Sequence, residues 1–377
     1  MGKHKKTVVL HITQVQGGIQ TYIEQIYKNI DKDRFELEIA CPKEQESLIQ
    51  FAVNNNIKWH PLKLKWRISP FSDVLSVLRI IRLVKKTNPN IIHAHSSKAG
   101  FVTRMASVFI KPTVLYTPHA YAFLSGNGLK EKAYLCLEKL ARPFTDVLLA
   151  CSKSEYNRSV KDVKFSPSKI SVFQNSIDIP TFTKVEREHT ETPIITTVGR
   201  LVFQKNPLMF LQVCKLLKDN NVNAKFQIIG AGFDDKMKEE VDLYMKKNNL
   251  HDSIKVFNWM NRQDLIEKIR HTDVFVMTSV FESFGYVAAE AQALEIPVVC
   301  TNVDGLNEIV IDKETGFLVD TNDVEKMAEK ISWLLENSVA AKEMGKAGRL
   351  HILNKFNILN NINILENIYQ KHAKDIS

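Results

Sequence analysis

Short apolar runs rich in β-branched residues alternate with longer stretches of helical periodicity along nearly the whole chain. In the first half, helical stretches at about 18–30 and 72–86 separate such runs, which lie at residues 8–12, 35–40, 91–94, 114–117, 147–151 and 170–173. A second series lies at residues 194–198, 225–229, 254–257, 274–278, 297–300 and 317–319. Repeated βαβ units form parallel sheets covered by helices. The sequence therefore predicts an α/β fold with two doubly wound, Rossmann-like domains.

Length and a change of pattern place the boundary between the domains. A chain of 377 residues exceeds what one hydrophobic core usually organises. Residues 179–193 hold two prolines and four threonines without strand or helical periodicity, which is typical of a linker. We predict an N-terminal domain at 1–178 and a C-terminal domain at 193–358. Open parallel sheets bind ligands beyond the carboxyl ends of their strands, so we expect an inter-domain cleft.

Cysteine usage and hydropathy favour a cytoplasmic protein. The five cysteines are isolated, without a Cys-x-x-Cys pair, so the sequence suggests neither a disulfide framework nor a zinc site. The apolar run that follows the basic N-terminus is too short for a secretory signal. No run approaches the roughly 18 apolar residues of a membrane-spanning helix.

Positive charge is concentrated in the first half of the chain. Residues 1–178 carry 27 Lys and Arg against 14 Asp and Glu, and Asp73 is the single acid within residues 51–100. The helix predicted near 72–86 places Arg79, Arg82 and Lys86 at helical spacing. It is preceded by Trp66, Arg67, Pro70 and Phe71. This mixture suits an anionic membrane surface, and we expect peripheral contact with the inner face of the cell membrane. The alternatives are a merely solvated basic face and a polyanion-binding surface, although charge alone is no nucleic-acid recognition motif.

The segment from Asp273 to Leu294 is the most informative part of the sequence. A buried strand is followed by a short loop that carries Glu282, and a helix then begins close to Gly285. Because a helix N-terminus presents unpaired N–H groups, we expect a diphosphate to bind the amides of Gly285, Tyr286 and Val287. Glu290 lies on the same helix, where a buried carboxylate would need a partner, and sugar hydroxyls suit both glutamates. A solvated helix residue is the alternative for Glu290.

Two cations follow the first strand of the second domain. In the run Gly199-Arg-Leu-Val-Phe-Gln-Lys-Asn-Pro, Arg200 and Lys205 fall in the strand-to-helix loop. Two positive charges there can neutralise a diphosphate and the charge that grows on it as a glycosidic bond breaks. The alternative is two solvated loop residues.

The first domain offers glycines and histidines at the ends of its strands. Gly17 and Gly18 open the first helix and permit close approach of a phosphate or an acceptor, but the G-x-G-x-x-G spacing of dinucleotide folds is absent. We expect the imidazoles of His93, His95 and His119 at the ligand-facing edge of the sheet, with His119 bonding a sugar. No Asp, Glu or Cys lies at ligand spacing near His93 and His95, which argues against a metal site. Asp31-Lys-Asp33, which superficially matches a metal-binding D-x-D motif, is interpreted as a surface turn.

These motifs together resemble glycosyltransferase family 4, a retaining family with the two-domain GT-B fold. The resemblance covers nearly the whole chain, and its most specific part is the pair Glu282 and Glu290 with Phe284-Gly285 between them. Further matches are Gly199-Arg200 with Lys205, Gly230-Ala-Gly232, Gly305-Leu-Asn-Glu308 and Thr315-Gly-Phe-Leu-Val319. The stretches 92–100 and 116–123 resemble those of the members that build bacterial surface polysaccharides.

The resemblance implies roles for individual residues. Arg200 and Lys205 bind the donor phosphates, Glu290 holds the ribose and Glu282 contacts the donor sugar. Gly17, Gly18, Gly230 and the amides of residues 285–287 complete the donor site, and His119 approaches the transferred sugar. The last helix, within about 359–377, is expected to return to the first domain. Two departures are Asn175-Ser176, where the family has Asn-Gly, and Glu295, where it usually has glycine.

We therefore predict a retaining, metal-independent hexosyltransferase without a cofactor. Its donor would be a nucleotide diphosphate sugar, with UDP favoured by analogy, and its acceptor a lipid-linked glycan. The alternatives are a nucleotide-sugar epimerase of the same fold and a transferase-like subunit without catalytic activity. An epimerase needs acid and base groups around the sugar ring, and the sequence offers no identifiable set.

Overall fold

The computed structural model describes residues 5–14, 17–65, 69–179, 192–231 and 235–374. The chain divides into two compact units, one formed by Met1–Ser176 with Ile358–Ser377 and the other by Ile177–Asn357. The predicted linker falls mostly on residues 180–191, outside the described residues. Gln16, Trp66, Arg67 and Gly232, which the sequence motifs include, also lie outside them.

The first unit contains a parallel sheet of seven described strands. The strands are β1 (Thr7–Ile12), β2 (Phe35–Cys41), β3 (Lys58–Pro61), β4 (Ile91–His95), β5 (Thr113–Thr117), β6 (Val147–Ala150) and β7 (Ile170–Val172). The helices are α1 (Gly18–Asn29), α2 (Glu46–Asn54), α3 (Pro70–Thr87), α4 (Ser97–Ala106), α5 (Leu129–Ala141) and α6 (Lys153–Lys161). Short 3-10 turns lie at Ser107–Phe109, Ala122–Ser125, Arg142–Phe144 and Pro167–Lys169.

The second unit contains a parallel sheet of six described strands. The strands are β8 (Ile194–Val198), β9 (Lys225–Ala231), β10 (Ile254–Asn258), β11 (Val274–Met277), β12 (Val298–Thr301) and β13 (Gly316–Val319). The helices are α7 (Pro207–Asp219), α8 (Asp235–Lys247), α9 (Arg262–Arg270), α10 (Tyr286–Ala293), α11 (Leu306–Ile309), α12 (Val324–Glu336) and α13 (Ser338–Lys355), and a 3-10 turn covers Phe203–Lys205. The final helix, α14 (Ile358–His372), belongs to the first unit.

Both sheets follow the same strand order. The first runs β3-β2-β1-β4-β5-β6-β7 and the second β10-β9-β8-β11-β12-β13. In each, the first strand of the unit lies between the second and the fourth, so the loops that follow the first and fourth strands diverge to opposite faces. The prediction of two parallel, doubly wound sheets is confirmed. β3 was not predicted, because this short edge strand is half-buried or exposed and lacks an apolar run.

The closing helix α14 packs on the first unit. The hydroxyl of Tyr369 lies 2.8 Å from Nδ1 of His93 in β4. The carboxylate of Glu366 accepts a 2.8 Å hydrogen bond from the backbone amide of Asp31 and pairs with Arg34. These buried and half-buried contacts fix α14 beside α1 and the start of β2.

Glu295 occupies a backbone position that favours glycine. Its φ of 60° is in the left-handed region, which costs an ordinary residue about 1–2 kcal/mol. The carbonyl oxygen of Glu295 also faces Gly345 of α13, where an added Cβ would come within 2.1 Å of it. The close contact with α13 thus holds the turn after α10 in its strained conformation.

We predict that Glu295→Gly raises the free energy of unfolding by about 1 kcal/mol, because glycine relieves the left-handed strain. Urea unfolding monitored by circular dichroism measures the change. Glu314→Gly is the matched control, since Glu314 is exposed and has no positive φ, and it should leave stability unchanged or lower it. Equal or lower stability of Glu295→Gly would show that the turn is not strained.

Candidate functional site

The carboxyl ends of β8 and β9 bring glycines together in the second unit. Gly199 follows β8, and its amide donates a 2.9 Å hydrogen bond to the carbonyl of Ile229. Gly230 has a φ of 100°, and a Cβ there would lie 3.2 Å from the carbonyl oxygen of Gly199. A Cβ on Gly199 would in turn lie 3.0 Å from the side chain of Lys205. The absence of side chains at Gly199 and Gly230 therefore lets the aliphatic part of Lys205 lie directly over the edge of the sheet.

The loop after β11 is bonded to the loops on both sides of it. The amide of Val280 donates to the carbonyl of Gln204 at 2.8 Å, and the hydroxyl of Thr278 donates to the carbonyl of Lys205 at 2.9 Å. On the other side, the amide of Gly305 donates to the carbonyl of Glu282 at 3.0 Å. Three strand-end loops thus form one hydrogen-bonded platform, which fixes the positions of their side chains.

Arg200 and Lys205 line a single cavity on this platform. The other lining residues come from β8, β9, β11, the loops after β8 and β11 and the start of α7, and they include Thr197, Gly199, Thr278 and Ser279. Lys205 forms an ion pair with the carboxylate of Glu282. Burial lowers the pKa of Arg200, and the nearby Glu282 carboxylate partly offsets this. The cavity is therefore lined by two cations, one of which is paired with Glu282. Glu282 and Glu290 themselves do not line it.

Helix α10 begins beside Glu282. Gly285 precedes it with a φ of 97°, and a Cβ there would lie 2.5 Å from Cδ2 of Leu306. Only glycine fits both the conformation and the space. The amides of Tyr286 and Val287 form the first turn of the helix, where the helix dipole favours negative charge.

Glu290 is fully buried on α10 and is paired with a residue that the sequence motifs did not include. Arg262, the first residue of α9, forms an ion pair with Oε1 of Glu290. Oε2 of Glu290 is buried and has no hydrogen-bond partner among the described residues. Burial raises the pKa of this carboxyl, and Arg262 partly offsets the effect. An unpartnered buried carboxylate oxygen is costly, so Oε2 can accept one further hydrogen bond from any donor that reaches it.

The glycine turn of the first unit opens α1 after β1. Gly17 precedes the helix with a φ of 82°, a Cβ there would meet nothing within 4 Å, and Gly18 is the first helical residue. The space above Gly17 is compatible with the predicted ligand approach. The role of both glycines stays a prediction.

The first unit brings together four histidines, of which the sequence interpretation had named three. His11 of β1 is paired in register with His93 of β4, and His95 follows two residues later on the same face. These three imidazoles are fully buried, whereas His119 is partly exposed. The expectation that His93 and His95 lie at a ligand-facing edge is wrong, because both side chains are fully buried, His93 against Tyr369 of α14 and His95 between His11 and His119. His11 was missed because it lies within an ordinary apolar strand.

The backbone around His119 is held in an uncommon conformation. His119 and Ala120 have φ values of 51° and 74°. The buried carboxylate of Glu155 accepts hydrogen bonds from the amides of Ala120, at 3.0 Å, and Cys151, at 2.9 Å. Burial raises the pKa of Glu155, and these amides partly offset it. The turn that carries His119 is therefore anchored from below by α6.

The sequence argued against a metal at His93 and His95, but His11 adds a third imidazole to this pair. One nitrogen from each of His11, His93 and His95 lies within 4.8 Å of the others, which is the geometry of a candidate three-histidine group. No Asp, Glu or Cys joins this group in the described part of the chain. Asp31 and Asp33 lie in a turn, where Oδ1 of Asp31 accepts from the amide of Asp33 at 2.9 Å.

Acid should destabilise the fold through these histidines. Burial lowers the pKa of His11, and of His119 with a further contribution from His11, to about 3 from the ordinary 6.5. Above pH 6.5 both the folded and the unfolded chain hold neutral imidazoles. Below it the unfolded chain takes up protons that the folded chain refuses, so stability falls between pH 6.5 and 3 by up to about 1.4 kcal/mol per pH unit for each histidine.

Urea unfolding at pH 7.5 and 5.0 measures this loss. His11→Leu should reduce the difference between the two pH values, whatever it does to stability at pH 7.5. His251→Gln, which removes an exposed histidine, should leave the difference unchanged. An equal pH dependence in the wild type and His11→Leu would contradict the assignment.

Comparison with known proteins gives matches over both units. Residues 178–351 match the family model described as Glycosyl transferases group 1, and residues 16–180 match that of Glycosyltransferase Family 4. A 41.2 kDa protein in the cps region of Klebsiella pneumoniae is 31% identical over 336 residues, which cover 85% of this chain and 88% of that one.

A relative of known activity matches nearly the full length. The UDP-Gal:alpha-D-GlcNAc-diphosphoundecaprenol alpha-1,3-galactosyltransferase of Escherichia coli is 28% identical over 373 residues, which cover 94% of each chain. Among solved structures, Anabaena HepE in complex with UDP-glucose superposes with a TM-score of 0.82 at 17% identity, covering 96% of this chain and 99% of that chain.

Proposed function

Because the chain belongs to glycosyltransferase family 4 and has its GT-B fold, we propose that it moves a hexose or N-acetylhexosamine from a nucleotide diphosphate sugar to a lipid-linked glycan. The reaction would serve assembly of a surface polysaccharide. The observation that carries the donor half is the shared cavity of Arg200 and Lys205, whose lysine pairs with Glu282 on the loop that leads to α10. The E. coli relative, whose name specifies UDP-Gal and a diphosphoundecaprenol acceptor, supports both a UDP-linked donor and a lipid-linked acceptor.

Each part of the donor would bind a different part of the second unit. The diphosphate lies between the two cations and the first amides of α10. The ribose hydroxyls bind Oε2 of Glu290, and the sugar hydroxyls bind Glu282. Lys205 then exchanges its ion pair with Glu282 for the phosphate, and Glu282 becomes available to the sugar. The ion pair between Lys205 and Glu282 thus keeps both charges satisfied until the donor replaces it.

The transfer would retain the anomeric configuration. The bond between the sugar carbon and the diphosphate breaks, and the acceptor hydroxyl attacks from the face that the diphosphate leaves. Its proton passes to an oxygen of the leaving diphosphate, so the chain needs no nucleophile of its own. Arg200, Lys205 and the amides of α10 stabilise the growing negative charge. The scheme uses neither a metal nor a cofactor.

The test of the function is a screen of nucleotide diphosphate sugars against lipid-diphosphate acceptors, with free nucleoside diphosphate and the glycosylated lipid as readouts. An epimerase would convert the donor without a lipid product, and an inactive subunit would bind it without turnover. On the donor so found, we predict that Lys205→Ala lowers kcat about a hundredfold, the cost of losing one preorganised charge partner.

Lys215→Ala is the matched control for Lys205→Ala. Lys215 lies on α7 and pairs with Asp219 at the surface, so its removal should leave kcat unchanged. An unaltered rate in Lys205→Ala would remove this lysine from the mechanism.

The acceptor half of the proposal rests on the surface of α3. This helix buries Ser72, Ser76, Ile80 and Val84 against its unit. Its exposed face carries Phe71, Val74 and Leu78 followed by Arg82 and Lys85. Apolar side chains beside basic ones suit a surface of anionic lipid, where the acceptor would be anchored. No helix in the described part of the chain combines the length and apolar character needed to cross a bilayer.

We predict that the protein sediments with anionic phospholipid vesicles at low salt and that binding falls at 0.5 M salt, about where charge screening shortens to a few ångströms. Arg82→Glu with Lys85→Glu should abolish the low-salt binding. Lys255→Glu with Lys342→Glu makes the same charge change on exposed residues of the second unit and should leave it intact. No lipid binding by the wild type at low salt would refute the membrane contact.

A further inference from the structure

Three imidazoles of the first unit form a continuous hydrogen-bonded chain. Nδ1 of His11 lies 2.9 Å from Nε2 of His95, and Nδ1 of His95 lies 3.0 Å from Nε2 of His119. The rings of His11 and His95 are nearly parallel, at 4°. The chain begins at a fully buried residue of β1 and ends at the partly exposed His119. We call these three residues the imidazole chain.

His93 stands beside the imidazole chain but bonds elsewhere. The hydroxyl of Thr117 donates its proton to the carbonyl of Leu149 at 2.9 Å, so it accepts from Nε2–H of His93 at 2.8 Å. Nδ1 of His93 then accepts from the hydroxyl of Tyr369. His93 is therefore the Nε2–H tautomer.

Hydrogen bonds account for the cluster better than a metal ion does. Nε2 of His93 carries a proton and is not available as a ligand. A nitrogen pair at 2.9 Å has a proton between its members, whereas ligands of a tetrahedral zinc ion each place a lone pair on the ion at about 2.0–2.1 Å. The three residues are also fully buried, which leaves no entry path for an ion.

The buried end of the imidazole chain determines in which direction its hydrogen bonds are donated. Nε2 of His11 is buried and has no hydrogen-bond partner among the described residues. An orphaned N–H donor is rarer in proteins than an under-satisfied acceptor, so this nitrogen carries the lone pair and Nδ1 carries the proton. His11 then donates to His95, and His95 donates from Nδ1 to Nε2 of His119. His119 is left with its proton on Nδ1.

The protonation states agree with this direction. Burial lowers the pKa of His95 well below its ordinary value, with further contributions from neighbouring histidines, and lowers that of His11 and His119 to about 3. All three rings are therefore neutral at neutral pH, and each hydrogen bond fixes the tautomer of the next ring. The rings of His119 and Tyr22 also pack edge to face, with ring centroids 4.8 Å apart.

We propose that the imidazole chain fixes His119 as the Nδ1–H tautomer, so that it donates a hydrogen bond to an oxygen of the substrate sugar, with His95 and His11 as positioning residues. This inference rests on the proposed glycosyl transfer for its substrate. Free neutral histidine in water is a mixture of tautomers that favours Nε2–H. Without the imidazole chain, Nδ1 of His119 would therefore often carry a lone pair where a donor is needed. The strained turn held by Glu155 orients the ring of His119. The imidazole chain determines which ring nitrogen carries the proton.

The first experiment reads the tautomers without any activity. Protein labelled with 15N-histidine is studied by long-range 15N–1H correlation at pH 7.5, with signals assigned from single histidine variants. We expect Nδ1–H at His11, His95 and His119 and Nε2–H at His93, which serves as an internal reference. Nε2–H at His95 or His119, or one equivalent of zinc after dialysis against zinc chloride and removal of excess, would overturn the proposal.

The second experiment tests whether the imidazole chain affects the turnover rate. His11→Leu removes the first donor and should lower kcat roughly tenfold with little change in the donor KM, less than the hundredfold cost of losing a preorganised donor itself. His11→Asn keeps an N–H at the δ position and should restore both kcat and the His119 tautomer. Tyr369→Phe, which breaks only the bond to His93, should change neither.

The outcomes separate this inference from the proposed function. If kcat falls equally in His11→Leu and His11→Asn, or if the tautomer of His119 is the same in both, the positioning role is refuted while transfer by the wild type still stands. If no donor is turned over at all, the proposed function fails. The tautomers measured by NMR still decide whether the imidazole chain fixes the tautomer of His119.

Discussion

The reversal of strand order in each sheet is the constraint on which both candidate sites depend. β1 and β4 are neighbours in the first sheet, and β8 and β11 are neighbours in the second, with the chain leaving each pair towards opposite faces. The loops at the carboxyl ends of such a pair cannot cover one another, so a crevice remains between them. In the second unit Arg200 follows β8 and Glu282 follows β11. In the first unit the imidazole chain connects β1, β4 and the loop after β5.

The charges of the second unit are paired in a way that a ligand can replace. Lys205 is bonded to Glu282, and Arg262 is bonded to Glu290. Removing one partner from a buried pair is costly, because the other charge is left without compensation. A diphosphate sugar offers both signs of partner at once, since its phosphates accept from lysine and arginine and its hydroxyls donate to carboxylates. In the proposed binding mode the phosphate replaces Glu282 as the partner of Lys205. Glu290 stays paired with Arg262 through Oε1 and accepts a ribose hydroxyl at Oε2, so no buried charge is left alone.

The sequence predicted the sheets, their parallel sense and the loop positions of Arg200, Lys205 and Glu282, because these follow from local periodicity and from the rule that ligands bind at strand ends. It did not predict the partnership of Arg262 with Glu290. Arg262 begins α9, and only the packing of α9 against α10 brings the two together. His11 was missed for a related reason. Its pairing depends on the register of β1 with β4, which no motif within either strand encodes.

The two departures from the family pattern are accommodated by different physical means. Ser176 stands where the family has glycine, yet it has no positive φ, and its hydroxyl donates to the carbonyl of Gln174 and accepts from Asn361 of α14. Here a side-chain hydrogen bond takes the place of backbone freedom, and it also ties the closing helix to the end of the first unit. Glu295 instead keeps the left-handed conformation that glycine would adopt. Its carbonyl oxygen packs closely on Gly345 of α13, and we attribute the retention of the strained conformation to this packing. The same sequence signal, a missing glycine, therefore corresponds to an unstrained turn in one place and a strained one in the other, and only the packing of the following helix distinguishes them.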